Sequence, residues 1–169
     1  AWALRFVSGA TRWFAVWCVQ RLFTWRYLMK ILLAVDGSPF TKKMLAYLAA
    51  HEELITAGRH EYTALTVQSA LPPRARAALS KEVVEEYYAE ESAKVLEPVQ
   101  KFLAQHSITP VCRSEVGPAG ETIAKIAENE KYDLIIMGTH GHGALGKLVM
   151  GSVSTQVLAN CSVPVMLIR

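Results

Sequence analysis

The residues of this 169-residue chain that could do chemistry crowd into one stretch, Leu134 to Val153. A short apolar run, Leu134 to Met137, breaks into glycines at Gly138, Gly141, Gly143 and Gly146. It reaches Gly151-Ser152 just before a segment of helical character. A strand, a glycine loop and a new helix N-terminus together make a candidate anion site. Glycine lets the backbone approach a ligand with no side chain in the way. The first N–H groups of a helix lack an internal partner and carry the positive end of the dipole. A phosphate satisfies both. One acid stands out upstream, Asp36, in Asp36-Gly37-Ser38-Pro39. It can bind ribose hydroxyls or an exocyclic amine, or hold a metal beside phosphates. It also fits plain turn chemistry.

Other polar residues carry less. His140 and His142 form His-x-His, but no further metal ligand lies near in sequence; contact with phosphate or solvent suits them better. Lys147 can pair with a phosphate, although a lone surface lysine is the default. Ser38 reads as a helix cap rather than a nucleophile, because no G-x-S-x-G elbow is present. Gly141 to Gly146 satisfies G-x-G-x-x-G, yet the next strand ends the chain at Arg169 without the acid that a dinucleotide site needs. Gly141 to Lys147 fits G-x-x-x-x-G-K, but Leu148 stands where Ser or Thr would hold Mg²⁺.

The elements that must position these residues alternate. Ile31 to Val35 is a continuous apolar run, as in a parallel strand covered on both faces. Ser38 caps a helix that Pro39 opens, expected to run to about Ala57 and stop at Gly58. Tyr62 to Val67 is a second strand, and Leu71 to Arg74 a proline-rich loop. A helix starts at Ser80, with Pro98 expected to kink or divide it. Val111 to Val116 alternates charge like an edge strand. A helix follows Gly117 to Gly120, then strand Leu134 to Met137, helix Ser152 to Asn160 and strand Val163 to Ile168. Pro164 suggests that the last strand is the other edge. The pattern predicts one α/β domain with an open, five-stranded parallel sheet. Ligands bind such sheets beyond the carboxyl ends of the strands, where the strand order reverses. If the first and fourth strands are neighbours, Asp36 faces the glycine loop there.

Residues 1–28 differ in kind. All four tryptophans lie there (Trp2, Trp13, Trp17, Trp25), with four arginines and no acid. A wheel puts Trp2, Phe6, Trp13 and Trp17 in one sector, as a membrane-surface helix would. The eight residues between Arg12 and Arg21 fall short of the ~20 a span requires, and no signal-peptide pattern is present. Membrane contact is not expected. We read residues 1–28 as an extension outside the fold, of translated upstream sequence, and 29–169 as the domain. The remainder holds 14 basic against 15 acidic residues, which gives no electrostatic case for nucleic acid. Cys18, Cys112 and Cys161 are too dispersed for a disulfide framework and fit a reducing, cytoplasmic setting.

Gly138-x2-Gly141-x9-Gly151-Ser152 resembles the nucleotide-binding signature of the universal stress protein family. The resemblance extends over Met29 to Arg169, through the opening Ile-Leu-Leu-Ala-Val-Asp-Gly-Ser and the closing Asn160 to Val165. It implies a sheet ordered 3-2-1-4-5, with ATP, with or without Mg²⁺, across its carboxyl edge. Ala34, Val35 and Asp36 would contact adenine and ribose, and Val67 would pack on adenine. Met137 and Gly138 would line the ribose side, with His140 beside them, and Gly141 would let the loop bend over the phosphates. Gly151, Ser152, Val153 and Ser154 would bind phosphate oxygens through N–H groups and hydroxyls. It also implies a homodimer through strand 163–168. Three functions follow: a nucleotide-binding stress-response switch, an enzyme such as a slow ATPase using the same site, or a nucleotide-free dimeric scaffold. No catalytic base or arginine finger stands beside the loop, so hydrolysis is expected to be slow at most.

Overall fold

The computed structural model describes residues 28–51, 60–143 and 150–169. The tryptophan-rich segment, Gly146, Lys147, Leu148 and Ala57-Gly58 lie outside them; the first helix, expected to reach about Ala57, ends at Ala50 with His51 as its C-cap. Ten elements follow in order: β1 (Lys30–Ala34), α1 (Pro39–Ala50), β2 (Glu61–Gln68), α2 (Pro73–Ala77), α3 (Lys81–Gln105), β3 (Val111–Val116), α4 (Ala119–Asn129), β4 (Leu134–Gly138), α5 (Ser152–Asn160) and β5 (Val165–Ile168). The strands form one parallel sheet in the order β3-β2-β1-β4-β5. β3 and β5 are its edges, as charge alternation and Pro164 indicated.

After Lys30, β1 is apolar, as is β4, because helices cover both faces. Ile31, Leu33 and Val35 point to one side, where Met44, Leu45 and Leu48 of α1 and Leu96, Val99 and Leu103 of α3 meet them. Leu32 and Ala34 point to the other, against Ile123, Ile126 and Ala127 of α4 and Val157 of α5. The period of two along the strand therefore assigns each residue its helix layer. On the second face, the Tyr132 hydroxyl donates to Thr63 Oγ1 at 2.9 Å, so a buried polar pair is satisfied.

Two local expectations are corrected. The Pro72-Pro73 region is not all loop: Pro73 opens the short helix α2. Proline is tolerated at the first helical position, where its missing N–H has no partner to lose. Pro98 does not divide α3, which runs unbroken for 25 residues. Pro98 and Lys94 both lie on the exposed side. The carbonyl at 94, freed of its i+4 partner, can therefore be met by water.

Candidate functional site

The site begins where β1 ends. Val35 N–H extends the ladder to the Leu65 carbonyl at 2.9 Å. The chain then turns through Gly37, whose φ of 76° is cheap for a residue without Cβ. Asp36 is fixed in this turn. Its Oδ1 accepts from Ser38 N–H at 3.0 Å and from the Thr41 hydroxyl at 2.7 Å. Its own N–H donates to Thr41 Oγ1 at 3.1 Å. Ser38 is fully buried and caps α1, its Oγ accepting from Thr41 N–H at 3.4 Å. It acts as a cap, as its sequence context indicated.

The neighbouring strand β4 ends against the start of α5. Thr139 N–H pairs with the Ile168 carbonyl at 2.9 Å, and the Thr139 carbonyl accepts from Gly151 N–H at 2.8 Å. The Ser154 hydroxyl donates to the same carbonyl at 2.9 Å, with the Gly151 carbonyl at 3.0 Å. The first turn of α5 is thus tied to the strand end. Gly151 caps the helix without a side-chain bond, and no acid lies in its first turn. Thr155 N–H pairs with the Gly151 carbonyl at 3.1 Å. The amides of Ser152, Val153 and Ser154 precede it and have no intrahelical acceptor, so within α5 itself nothing offsets the positive end.

Asp36 and the glycine loop do face one another across the reversal point between β1 and β4. A Cβ built on Gly141 would stand 2.5 Å from Asp36 Oδ2. The His142 ring reaches back, its Nε2 2.8 Å from the Asp36 carbonyl. His142 is exposed, so it meets solvent as well. His140 packs its ring on Phe40 at 5.0 Å and sets Nδ1 3.0 Å from Thr139 Oγ1.

Between these walls lies a cavity of about 320 Å³, within the range of small-molecule sites. Ala34, Val35 and Asp36 from the end of β1 line it, together with Val67 from β2. So do Met137, Gly138, His140 and Gly141 from β4 and its loop, and Gly151, Ser152, Val153 and Ser154 from the start of α5. The residues that the resemblance implied therefore line one cavity, with His142 among them, whereas Ser38 is buried as a cap and Lys147 lies outside the described residues. Two roles change: the Gly151 N–H is already given to the Thr139 carbonyl, and Ser154 is 2% exposed with its hydroxyl engaged by carbonyls of the fold, which leaves its N–H as the group it can offer a ligand. Thr41, Leu65, Ala119 and Ile123 also line the cavity and were not foreseen. Thr41 carried a signal, since it is the third residue of the helix that Ser38 caps. Among the described residues, no group of three or more His, Cys, Asp or Glu is placed to hold a metal ion.

Known proteins share this sequence pattern and fold. The chain is 35% identical over 144 residues to the universal stress protein in the QAH/OAS sulfhydrylase 3′ region of Thermus aquaticus, covering 82% of this chain and 97% of that one. Its fold is similar to that of the hypothetical protein MJ0577 of Methanocaldococcus jannaschii, with a TM-score of 0.68, 28% identity, and 83% and 96% of the two chains covered. It also shares a fold, at 16% identity and a TM-score of 0.59, with a universal stress protein family protein from Arabidopsis thaliana solved with AMP bound; 83% and 90% of the chains are covered. Other solved relatives of this fold hold dAMP, from Archaeoglobus fulgidus, and cAMP. The sequence profile of the Universal stress protein family matches residues 28–169, and the chain belongs to that family.

Proposed function

We propose that this chain binds ATP at the carboxyl edge of its sheet and works as a nucleotide-responsive dimeric switch in the stress response, in the cytoplasm. The observation that carries the reading is the convergence of a fixed carboxylate, Asp36, and three outward amides, Ser152 to Ser154, on one cavity. The two ends have complementary chemistry. Asp36 accepts hydrogen bonds from hydroxyls or an amine, and the helix start accepts negative charge. A nucleotide presents both groups in one molecule. Apolar Ala34, Leu65, Val67 and Ile123 supply the surface on which a base can pack. That solved relatives hold AMP, dAMP and cAMP supports adenine as the base. Mg²⁺ would accompany the triphosphate.

The dimer reading rests on β5. It is an edge strand, and Val165 to Ile168 are each only half-buried. An unpaired apolar edge invites a second copy through residues 163–168. Nucleotide-dependent movement of the loop between β4 and α5 would reach that edge directly, because Thr139 is bonded to Ile168.

Calorimetric titration of ATP and of AMP into the full chain tests the site. Micromolar binding of ATP, about 8 kcal/mol, weakened at least tenfold by Asp36→Ala and by Gly151→Val in folded protein, is the expected result. Absence of binding at millimolar nucleotide, in protein shown by mass spectrometry to carry none already, would overturn the reading and leave the scaffold role. Sedimentation at tens of micromolar tests the dimer separately, and a monomer with and without ATP would refute it.

A further inference from the structure

Asp36 has two carboxylate oxygens in different situations. Oδ1 is engaged twice, by Ser38 N–H and by the Thr41 hydroxyl. Oδ2 is the atom turned toward Gly141 and the glycine loop. How a carboxylate oxygen meets a ligand therefore depends on what fixes the side chain. Ser38 N–H holds it at one point only, so it leaves the side chain room to turn about χ1 and χ2. Thr41 is placed differently. It is 3% exposed and sits one turn into α1. Its hydroxyl accepts from the Asp36 N–H and donates to Asp36 Oδ1, so it closes a ring with one residue's backbone and side chain. Its own N–H is held by Ser38 Oγ. In a capping box the residue at this helical position is Glu or Gln and accepts from the N–H of the cap itself. Here the Ser38 N–H goes to Asp36 instead, and threonine, a β-branched side chain with few rotamers to lose, accepts from the Asp36 N–H two residues before the cap.

We propose that Thr41 is the positioning residue of this site: its hydroxyl holds the Asp36 side chain in one χ1 rotamer, with one carboxylate oxygen bound by the fold and the other presented to the ligand. The role rests on the nucleotide reading only for what that ligand is. The lock itself belongs to the unliganded protein. It also gives the hydroxyl a function that its γ-methyl cannot supply, and this separates Thr→Val, which keeps the shape, from Thr→Ser, which keeps the bond.

Two measurements test it. The first needs no ligand: three-bond couplings and carboxyl ¹³C shifts of Asp36 in the full chain report whether its side chain holds one rotamer. One rotamer is expected in the unaltered protein and in Thr41→Ser, and averaging in Thr41→Val, with native backbone shifts elsewhere confirming the fold. A single unchanged rotamer in Thr41→Val would overturn the proposal. The second is a double-mutant cycle on ATP binding. Thr41→Val should weaken binding about tenfold, Thr41→Ser less than threefold, and Thr41→Val should add less than twofold in the Asp36→Ala background. Full additivity with Asp36→Ala, or equal loss in Thr41→Ser, would overturn it. If the unaltered protein binds no ATP, the nucleotide reading fails while the rotamer measurement still decides the role of Thr41.

Discussion

Replacing Gly141 by alanine is the sharpest perturbation of the site, because one methyl group forces a choice between two sets of bonds. The new Cβ would lie 2.5 Å from Asp36 Oδ2 and 3.8 Å from its Cγ. An ordinary contact needs about 3.5 Å, so something must retreat by roughly 1 Å. If the carboxylate turns away, it gives up Ser38 N–H and the Thr41 hydroxyl. Hydrogen bonds to a charged group contribute about 1.5–3 kcal/mol each, so that route costs about 3–6 kcal/mol. If the loop retreats, the bond in reach is His142 Nε2 to the Asp36 carbonyl, which is exposed and contributes about 0.5–1 kcal/mol. The loop should therefore move and Asp36 should stay. The expected outcome is a loss of about 0.5–1.5 kcal/mol and a fall in Tm of about 2–5 °C, with ATP affinity down about tenfold because the loop no longer closes over the ligand. Thermal unfolding of Gly141→Ala, His142→Ala and the double variant checks it. His142→Ala should cost little more once Gly141→Ala has broken the same bond. Additive losses, or a loss above ~3 kcal/mol, would show that the carboxylate moved instead and refute the reasoning.

Three further outcomes follow from the same geometry. Gly120→Ala would set a methyl 2.4 Å from Gln156 Cβ, so α4 and α5 must separate; a loss of about 1–3 kcal/mol in chemical denaturation is expected, relieved in part by Gln156→Gly. Burial pushes the Tyr62 phenol up to about 12. An acid whose folded value is raised contributes stability that is complete below its unfolded value near 10 and is lost as pH rises from there toward 12. Unfolding across that window should show a decline on the order of 1–2 kcal/mol that Tyr62→Phe abolishes. At the acid end, the Arg113 bond holds the Glu130 carboxyl below the usual range, and the Ser162 N–H and hydroxyl do the same for Glu128. Lowered carboxylates contribute stability above their unfolded value near pH 4.3, lost as pH falls through the folded values. Glu128→Gln should flatten the acid limb of a Tm-against-pH curve, and an unchanged limb would show that the pair contributes nothing.

What could be read from the chain, and what could not, divides along physical lines. The layer assignment was legible because burial on both faces leaves a continuous apolar run with a period of two, as in Ile31 to Val35. The convergence of Asp36 and the glycine loop was legible because a parallel sheet brings strand ends to one edge. Pro72-Pro73 and Pro98 misled because proline's effect depends on which bond its missing N–H removes. At the start of α2 there was none to lose, and on the exposed side of α3 the freed carbonyl is open to water. Ser154 and Thr41 were harder for a related reason. Both are small hydroxyl residues in the first turn of a helix, where the side chain can bond to the backbone or to a ligand. Ser154 looked like a ligand group and is 2% exposed, tied to the Thr139 carbonyl. Thr41 passed unremarked and holds the one carboxylate of the site. The distinction lies in which carbonyl or carboxylate stands within 3 Å, a fact of tertiary contact that spacing along the chain does not encode. It also bears on how a ligand would be felt: Ser154 and Thr139 couple the start of α5 to β5, while Thr41 couples Asp36 to α1. A molecule spanning both would bridge the two helix layers that pack on opposite faces of the sheet. The rigidity gained on binding would therefore be largest along that seam. Amide exchange with and without ATP should show protection gained at Asp36 to Thr41 and at Ser152 to Thr155 together; protection at the α5 end alone would mean that the phosphates bind while the Asp36 end stays unengaged.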